Sequence, residues 1–256
     1  MSRNAKGHAL TSKTAFITGG GSGIGLSIAQ AFADQGANLV LFDTNLATAR
    51  TAAAALPQAI AVEGSVTCRD DLARAYDQAI AHFGGLDIVL ANAGVSQNQP
   101  TLDITDSDWQ RVMDINCTGV FLTAQEAGRR MVAQGHGVIL LMASIYGTVA
   151  APERLGYCVS KAGVVMMTKA LAVEWAAHGV RVNALAPGYV ETPLLSDLIA
   201  RGRLDPARLK GRTPIGRLIQ PEEVARAAVF LAEEGGAGIT GQILGIDGGW
   251  TAYGYV

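Results

Sequence analysis

The chain has 256 residues and a formal net charge of -2. Hydrophobic residues make up 49% and charged residues 16%, which excludes a disordered chain, and the missing basic excess argues against general nucleic-acid binding. Met1 to Lys13 is polar, without the apolar stretch of a signal peptide, and no apolar run reaches the ~18 residues of a membrane span, so a cytoplasmic protein is expected.

Short β-branched runs alternate with longer helical patterns. Strands are predicted over 14–18, 38–43, 59–63, 86–91, 138–142, 180–186 and 242–246. Helices are predicted over 23–35, 46–56, 69–83, 106–133, 157–177 and 221–233, with 191–218 irregular or helical. Most strand runs are apolar throughout rather than alternating, the pattern of strands buried on both faces of a parallel sheet. The expected architecture is α/β: a Rossmann-like, doubly wound, parallel seven-stranded sheet with helices on both faces. Residues 1–12 read as a loose tail. Residues 13–256 read as one domain, since no linker, composition break or repeat divides them.

The first strand runs directly into Thr18-Gly-Gly-Gly-Ser-Gly-Ile-Gly25 and then a helix. A dinucleotide site needs a tight turn, close backbone approach to the pyrophosphate, and a helix N-terminus aimed at it. Gly19, Gly23 and Gly25 can meet those needs, with Ser22 and Ile24 between them. The second strand ends in Asp43, placed to bond the adenosine ribose hydroxyls and to repel a 2′-phosphate. With no Lys or Arg in the turn, NAD is favoured over NADP.

Tyr157 and Lys161 are four apart at the start of a helical pattern and share one face. Ser144 ends the preceding strand, where a doubly wound sheet opens its ligand crevice. Asn116 lies on the long helix before that strand. The cysteines Cys68, Cys117 and Cys158 form no C-x-x-C pair, and the four histidines have no metal-ligand spacing. The cysteines read as small packing residues, and no metal is expected.

These residues resemble the short-chain dehydrogenase/reductase family in its single-domain form of about 250 residues. The resemblance runs from Lys13 to Trp250 through the glycine turn, Ala91-Asn-Ala-Gly94, Asn116, Ser144, Tyr157-Cys-Val-Ser-Lys161, Asn183, Pro187-Gly188 and Asp247-Gly-Gly249. Two departures stand out. Ala91 replaces the first of two asparagines, which leaves the cofactor-side Asn92 with Ala93 and Gly94. Ser65, before Val66, replaces an aspartate that faces the adenine.

The resemblance implies hydride transfer between a secondary alcohol or ketone and nicotinamide. It implies Tyr157 as general base, Ser144 as the hydrogen-bond partner of the substrate oxygen, and Asn116 as holder of a water linked to Lys161. Lys161 would bind the nicotinamide ribose, and Pro187, Gly188, Val190 and Thr192 the carboxamide segment. A phenol of reference pKa ~10 needs ~4 kcal/mol of help to ionise near neutrality. An ammonium ~5 Å away contributes roughly 3 kcal/mol at an effective dielectric of ~20, so Lys161 is expected to supply most of it.

Substrate choice is expected in loops 95–100, 145–155 and 189–217. The last holds Arg201, Arg203, Arg208, Lys210, Arg212 and Arg217 against Asp197 and Asp205. It reads either as a solvated lid or as an attractor of anions. Three functions stay open: an NAD-dependent dehydrogenase of a small sugar or polyol, a 3-oxoacyl-carrier-protein reductase, and a silent NAD-binding scaffold. The polar residues Ser96, Gln97, Asn98 and Glu153 favour the first. The aromatic, uncharged tail after Gly248, the last strand, and small residues on two long helices (Cys117, Gly119, Ala124, Gly163, Ala170) predict a homotetramer, with residues 250–256 against a neighbouring subunit.

Overall fold

The computed structural model describes residues 8–202 and 204–254. Arg203, Val256, Tyr255 and the first seven residues of the expected tail lie outside the described residues. Seven strands, β1 (Thr14–Thr18), β2 (Asn38–Asp43), β3 (Ala59–Glu63), β4 (Ile88–Ala91), β5 (Gly137–Met142), β6 (Val180–Pro187) and β7 (Ile243–Ile246), form one sheet. Their order is β3-β2-β1-β4-β5-β6-β7, and every pairing is parallel. The strand order reverses between β1 and β4, which opens a crevice at the C-terminal ends of the strands.

The apolar runs of the strands are explained by two cores, one on each face. Phe16, Val40, Val89, Ile139 and Leu141 point to the face covered by α3 (Arg69–Phe83), α5 (Gly119–Gln134) and α6 (Leu155–Trp175). Their neighbours Ile17, Leu39, Leu41, Leu90 and Leu140 point to the face covered by α1 (Gly23–Asp34), α2 (Leu46–Ala54) and α9 (Pro221–Ala232). Strand residues alternate sides with a period of two, so a strand buried on both sides has no polar positions. Each fully buried Leu, Ile or Phe contributes roughly 1.5–3 kcal/mol relative to exposure.

Several boundaries differ from the sequence expectation for physical reasons. Leu86 and Asp87 precede β4 because the Asp87 carboxylate accepts the Thr14 N–H at 2.9 Å and pairs with Lys13 at 3.1 Å. The helix expected over 106–133 is interrupted: α4 (Asp106–Met113) passes into a π turn over Asp114–Thr118 before α5 begins. The stretch 191–218 contains two short helices, α7 (Pro193–Ala200) and α8 (Pro206–Arg212), each opened by a proline in its first turn and capped by the Thr192 or Asp205 side chain. Among the described residues no helix is long and apolar enough to cross a membrane, and no cluster of His, Cys, Asp or Glu could hold a metal.

Cys68 is exposed, against the expectation of a packing residue. Cys117 is half-buried, and its thiol is pushed up by that burial. The small helix residues expected to face a partner mostly face this chain. Gly119 and Ala124 are buried. A Cβ on Gly119 would sit 2.7 Å from Val66 Cγ2, and one on Gly163 3.1 Å from Cys117 Sγ. Trp250 and Tyr253, expected against a neighbour, engage Arg212 of their own chain. The guanidinium lies 4.8 Å and 5.0 Å from the two ring centroids and donates to both backbone carbonyls.

Candidate active site

The strand ends β1 to β6 surround a cavity of about 510 Å3. At the β1 end, Gly19 has φ 64° and Gly23 φ 55°, left-handed conformations that favour glycine. A Cβ on Gly25 would collide with the Gly19 carbonyl, so α1 packs against the turn only through a glycine. Gly25 serves that packing and does not line the cavity; Gly19, Ser22, Gly23 and Ile24 do. The first turn of α1 carries no acidic residue, and its unpaired N–H groups form the positive end of a 12-residue helix. Asn92 braces the turn from β4: its Nδ2 donates to the Thr18 and Gly19 carbonyls at 3.0 and 3.2 Å. Thr18 Oγ1 in return accepts from the N–H groups of Asn92 and Ala93 at 2.9 and 3.0 Å.

Asp43 lines the cavity at the end of β2, with Thr44, Ser65 and Val66 beside it. Its carboxylate accepts from the N–H groups of Gly21 at 3.2 Å and Asn45 at 3.0 Å, so it also ties down the glycine turn, a task not visible in the sequence. One acceptor position remains on each oxygen for a ligand. Ser65 is held by a 2.8 Å bond between its hydroxyl and that of Thr67, and by Asp71, which accepts its N–H at 3.0 Å. That hydrogen bond to Ser65, with Arg74 beside it, holds the Asp71 carboxyl below its usual range. Pro187, Gly188, Val190 and Thr192 line the opposite wall after β6, with Ala93 and Gly94 between the walls. A cradle closed by glycines, with a helix N-terminus at one end and an acid at the other, fits a dinucleotide.

Beyond the cradle, Ser144, Tyr157 and Lys161 line the same cavity. Lys161 is 3% exposed, and its Nζ donates to the Met142 carbonyl at 2.8 Å while standing 5.7 Å from the Tyr157 ring centroid. Burial lowers its pKa to about 8. Desolvation pushes the Tyr157 phenol above its ordinary value; hydrogen bonding from Ser144 and the charge of Arg154 pull it back. The Lys161 ammonium, to which the sequence assigns that pull, stays beside the ring while bonded to the Met142 carbonyl.

Asn116 does not line the cavity. It sits in the π turn with its side chain clasping Val95: Oδ1 accepts the Val95 N–H and Nδ2 donates to the Val95 carbonyl, both at 2.8 Å. Its carboxamide is therefore committed to the loop after Gly94. Gly94 makes room for this, since a Cβ there would lie 3.2 Å from Asn116 Oδ1.

Of the polar residues expected around the substrate, only Ser96 lines the cavity. Gln97 is buried under the start of α6, where its Oε1 accepts the Gly156 N–H at 2.8 Å. The basic residues of 201–217 that are described do not line it either. Arg201 pairs with Asp197 at 2.9 Å, Arg217 with Glu223 at 2.7 Å, and Arg212 holds the tail. Sequence reasoning missed Tyr146, Tyr189 and Arg154, which do line it. The Tyr146 and Tyr189 hydroxyls bond each other at 2.7 Å, and Tyr189 packs on Trp250 with centroids 5.2 Å apart. Only the position of Arg154, three residues before Tyr157, marked it.

The chain has relatives along nearly its whole length. A family profile described as enoyl-(acyl carrier protein) reductase matches residues 19–251. The chain is 42% identical over 250 residues to a cis-4-hydroxycyclohexanecarboxylate dehydrogenase of Sinomonas cyclohexanicum, covering 96% of this chain and 99% of the relative. It is 40% identical over 243 residues to an L-tagatose-forming galactitol 2-dehydrogenase of Cereibacter sphaeroides, covering 93% and 95%. The crystal structure of a short-chain type dehydrogenase/reductase from Mycobacterium marinum superposes with a TM-score of 0.89 at 37% identity, covering 96% of this chain and 98% of that one. On these matches the chain belongs to the short-chain dehydrogenase/reductase family of nicotinamide-dependent oxidoreductases.

Proposed function

We propose that this enzyme oxidises one secondary hydroxyl of a small hydroxylated substrate, of the sugar or polyol class, with NAD as acceptor. The observation that carries the reading is the meeting of the Tyr157 phenol, the Ser144 hydroxyl and the buried Lys161 on one wall of the cavity. In the reaction the carbinol carbon loses a hydride to the nicotinamide ring that bound NAD supplies. The hydroxyl proton goes to ionised Tyr157, so alcohol and NAD become ketone, NADH and a proton. Ser144 holds the substrate oxygen, and Lys161 holds positive charge beneath the phenol while binding the ribose. Asn116 positions the Val95 loop.

The choice of NAD rests on Asp43. The cations lining the cavity among the described residues are Lys161 and Arg154, neither of them beside Asp43. A 2′-phosphate there would meet a carboxylate. A small hydroxylated substrate is supported by the names of the two relatives above, one a polyol dehydrogenase and one acting on a hydroxylated ring acid. Residues 13–256 act as one dinucleotide-binding and catalytic domain. The same reading places the enzyme in the cytoplasm as a homotetramer, with no nucleic-acid or membrane partner.

The profile's description keeps a carrier-protein reductase as the second reading. Against it stand Asp43 and the lack of basic residues where an acidic carrier would dock, at 133–138 before β5 and at Val173 before Glu174. A panel of secondary alcohols and ketones, with NAD and NADP, separates the two: NAD is favoured well over tenfold, and a 3-oxoacyl thioester is a poor substrate. Tyr157→Phe lowers kcat by roughly 10²–10⁴ while calorimetry finds NAD affinity unchanged. A variant that keeps more than a few per cent of the rate overturns the role given to Tyr157.

A further inference from the structure

The substrate half of the cavity contains one cation that hydride transfer does not require. Arg154 lines the cavity, with its guanidinium carbon 5.5 Å from the Tyr146 ring centroid. Among the described residues no carboxylate pairs with it. Its backbone is fixed from three sides. Glu153 before it has φ 63°, a left-handed conformation that costs a side-chain-bearing residue of this kind on the order of 1–3 kcal/mol. The Glu153 carbonyl accepts the Gln99 N–H at 2.8 Å, and the Gly156 N–H after it is held by buried Gln97. The Arg154 carbonyl accepts the Cys158 N–H at 2.8 Å, in the first turn of the helix that carries Tyr157. Strained, pinned backbone beside a reacting group marks a functional position.

The surroundings decide what Arg154 is for. Leu195, Leu198 and Leu204 line the same cavity, and the Tyr146 and Tyr189 hydroxyls share one hydrogen bond. A substrate without an anionic group would leave the guanidinium without an acceptor of opposite charge, which is unfavourable. A carboxylate takes two parallel N–H···O bonds from a guanidinium. One unpaired cation matches one negative charge. A phosphate ester would carry a second, while Lys161, the other cation lining the cavity, is buried against the Met142 carbonyl.

We propose that Arg154 is a specificity-determining residue that binds a carboxylate of the substrate, so that the preferred substrate is a secondary alcohol that is also a carboxylic acid. The proposal rests on the hydride-transfer reading for its substrate and on the cavity for its ligand.

Two matched pairs test it: 4-hydroxycyclohexanecarboxylate against its carboxamide, and gluconate against glucitol. With NAD, the wild type should prefer the acid of at least one pair. Arg154→Leu should lower kcat/KM for that acid roughly 10- to 100-fold more than for its neutral partner, and Arg154→Lys should restore part of the difference. Any effect of Arg154 on the Tyr157 phenol strikes both members of a pair equally, so the ratio isolates recognition. A second readout needs no turnover: calorimetry of the NAD-loaded enzyme with cyclohexanecarboxylate and cyclohexanecarboxamide. The acid should bind more tightly, and Arg154→Leu should erase the difference. Equal binding of the two, or no binding of the acid, overturns the proposal, as does an equal loss on both members of a pair. If no alcohol yields NADH yet the acid binds through Arg154, the hydride-transfer reading fails and the carboxylate site stands.

Discussion

The proton carried by Tyr157 sets how the enzyme responds to pH. Oxidation needs the phenolate, and desolvation holds the phenol above its ordinary value. Below that value each pH unit raises the phenolate fraction tenfold, so kcat/KM for alcohol oxidation should climb with slope one as pH rises from 6. Reduction of the ketone needs the protonated phenol and should show no such climb. Lys161 modifies the alkaline side: with a pKa of about 8, it loses its positive charge above that pH, and the support it gives the phenolate goes with it. The oxidation profile should therefore bend near pH 8 in the wild type. A flat oxidation profile between pH 6 and 9 would exclude Tyr157 as the titrating base. At this scale the sequence, read with its family resemblance, already singled out Tyr157, Lys161, Ser144 and Asp43, all of which line the cavity. It could not identify Arg154 or Tyr189. Their place in the cavity depends on the left-handed turn at Glu153 and on the path of the chain after Pro187, neither of which has a periodic signal.

Elements as well as residues build the site, and the π turn between α4 and α5 is the clearest case. Val112, Asn116, Val120 and Ala124 are all buried, in three successive steps of four. On a 3.6-residue helix each such step drifts about 40°, so a regular helix could not keep all four inward. One wide turn absorbs the drift and brings Asn116 to Val95, and π turns recur at functional sites for this reason. The sequence contained the spacing, but a helix prediction over 106–133 has no place for a turn of different pitch. The strands were legible because burial on both faces leaves a simple mark, whereas their ends were set by single contacts such as Asp87 to Thr14. Asn116→Ala removes two 2.8 Å bonds and leaves the N–H and carbonyl of Val95 without partners. At roughly 1–3 kcal/mol for each unsatisfied group and ~2–4 °C per kcal/mol, Tm should fall by at least about 4 °C and KM for the alcohol should rise. A variant with unchanged Tm and a lower kcat would instead support the water-holding role that the family resemblance implies.

For the whole molecule, what the chain leaves uncovered is the guide to assembly. Val159, Met166 and Val173 on α6 are 40%, 62% and 84% exposed, at spacings of seven that keep them on one stripe. Phe121 on α5 is 38% exposed, and Leu244 on the edge strand β7 is 36% exposed. Apolar side chains grouped in this way mark contact surfaces, and an edge strand has backbone groups to cover. The helix stripe and the β7 edge are two separate surfaces, and the proposed tetramer would pair each with its own copy about a two-fold axis. Within its own chain the tail also has a task that its composition does not suggest. Arg212 holds Trp250 and Tyr253 to their own chain, and Trp250 backs Tyr189, which lines the substrate cavity. Light scattering at micromolar concentration should give about four times the 26.6 kDa chain mass, and a pair of charges at Met166 and Val173 should reduce it to a smaller species. Removal of residues 250–256 should leave NAD affinity intact and raise KM for the alcohol severalfold, because Tyr189 loses its support. A monomer in the first measurement overturns the assembly. Unchanged KM in the second overturns the coupling of the tail to the cavity, whatever the assembly proves to be.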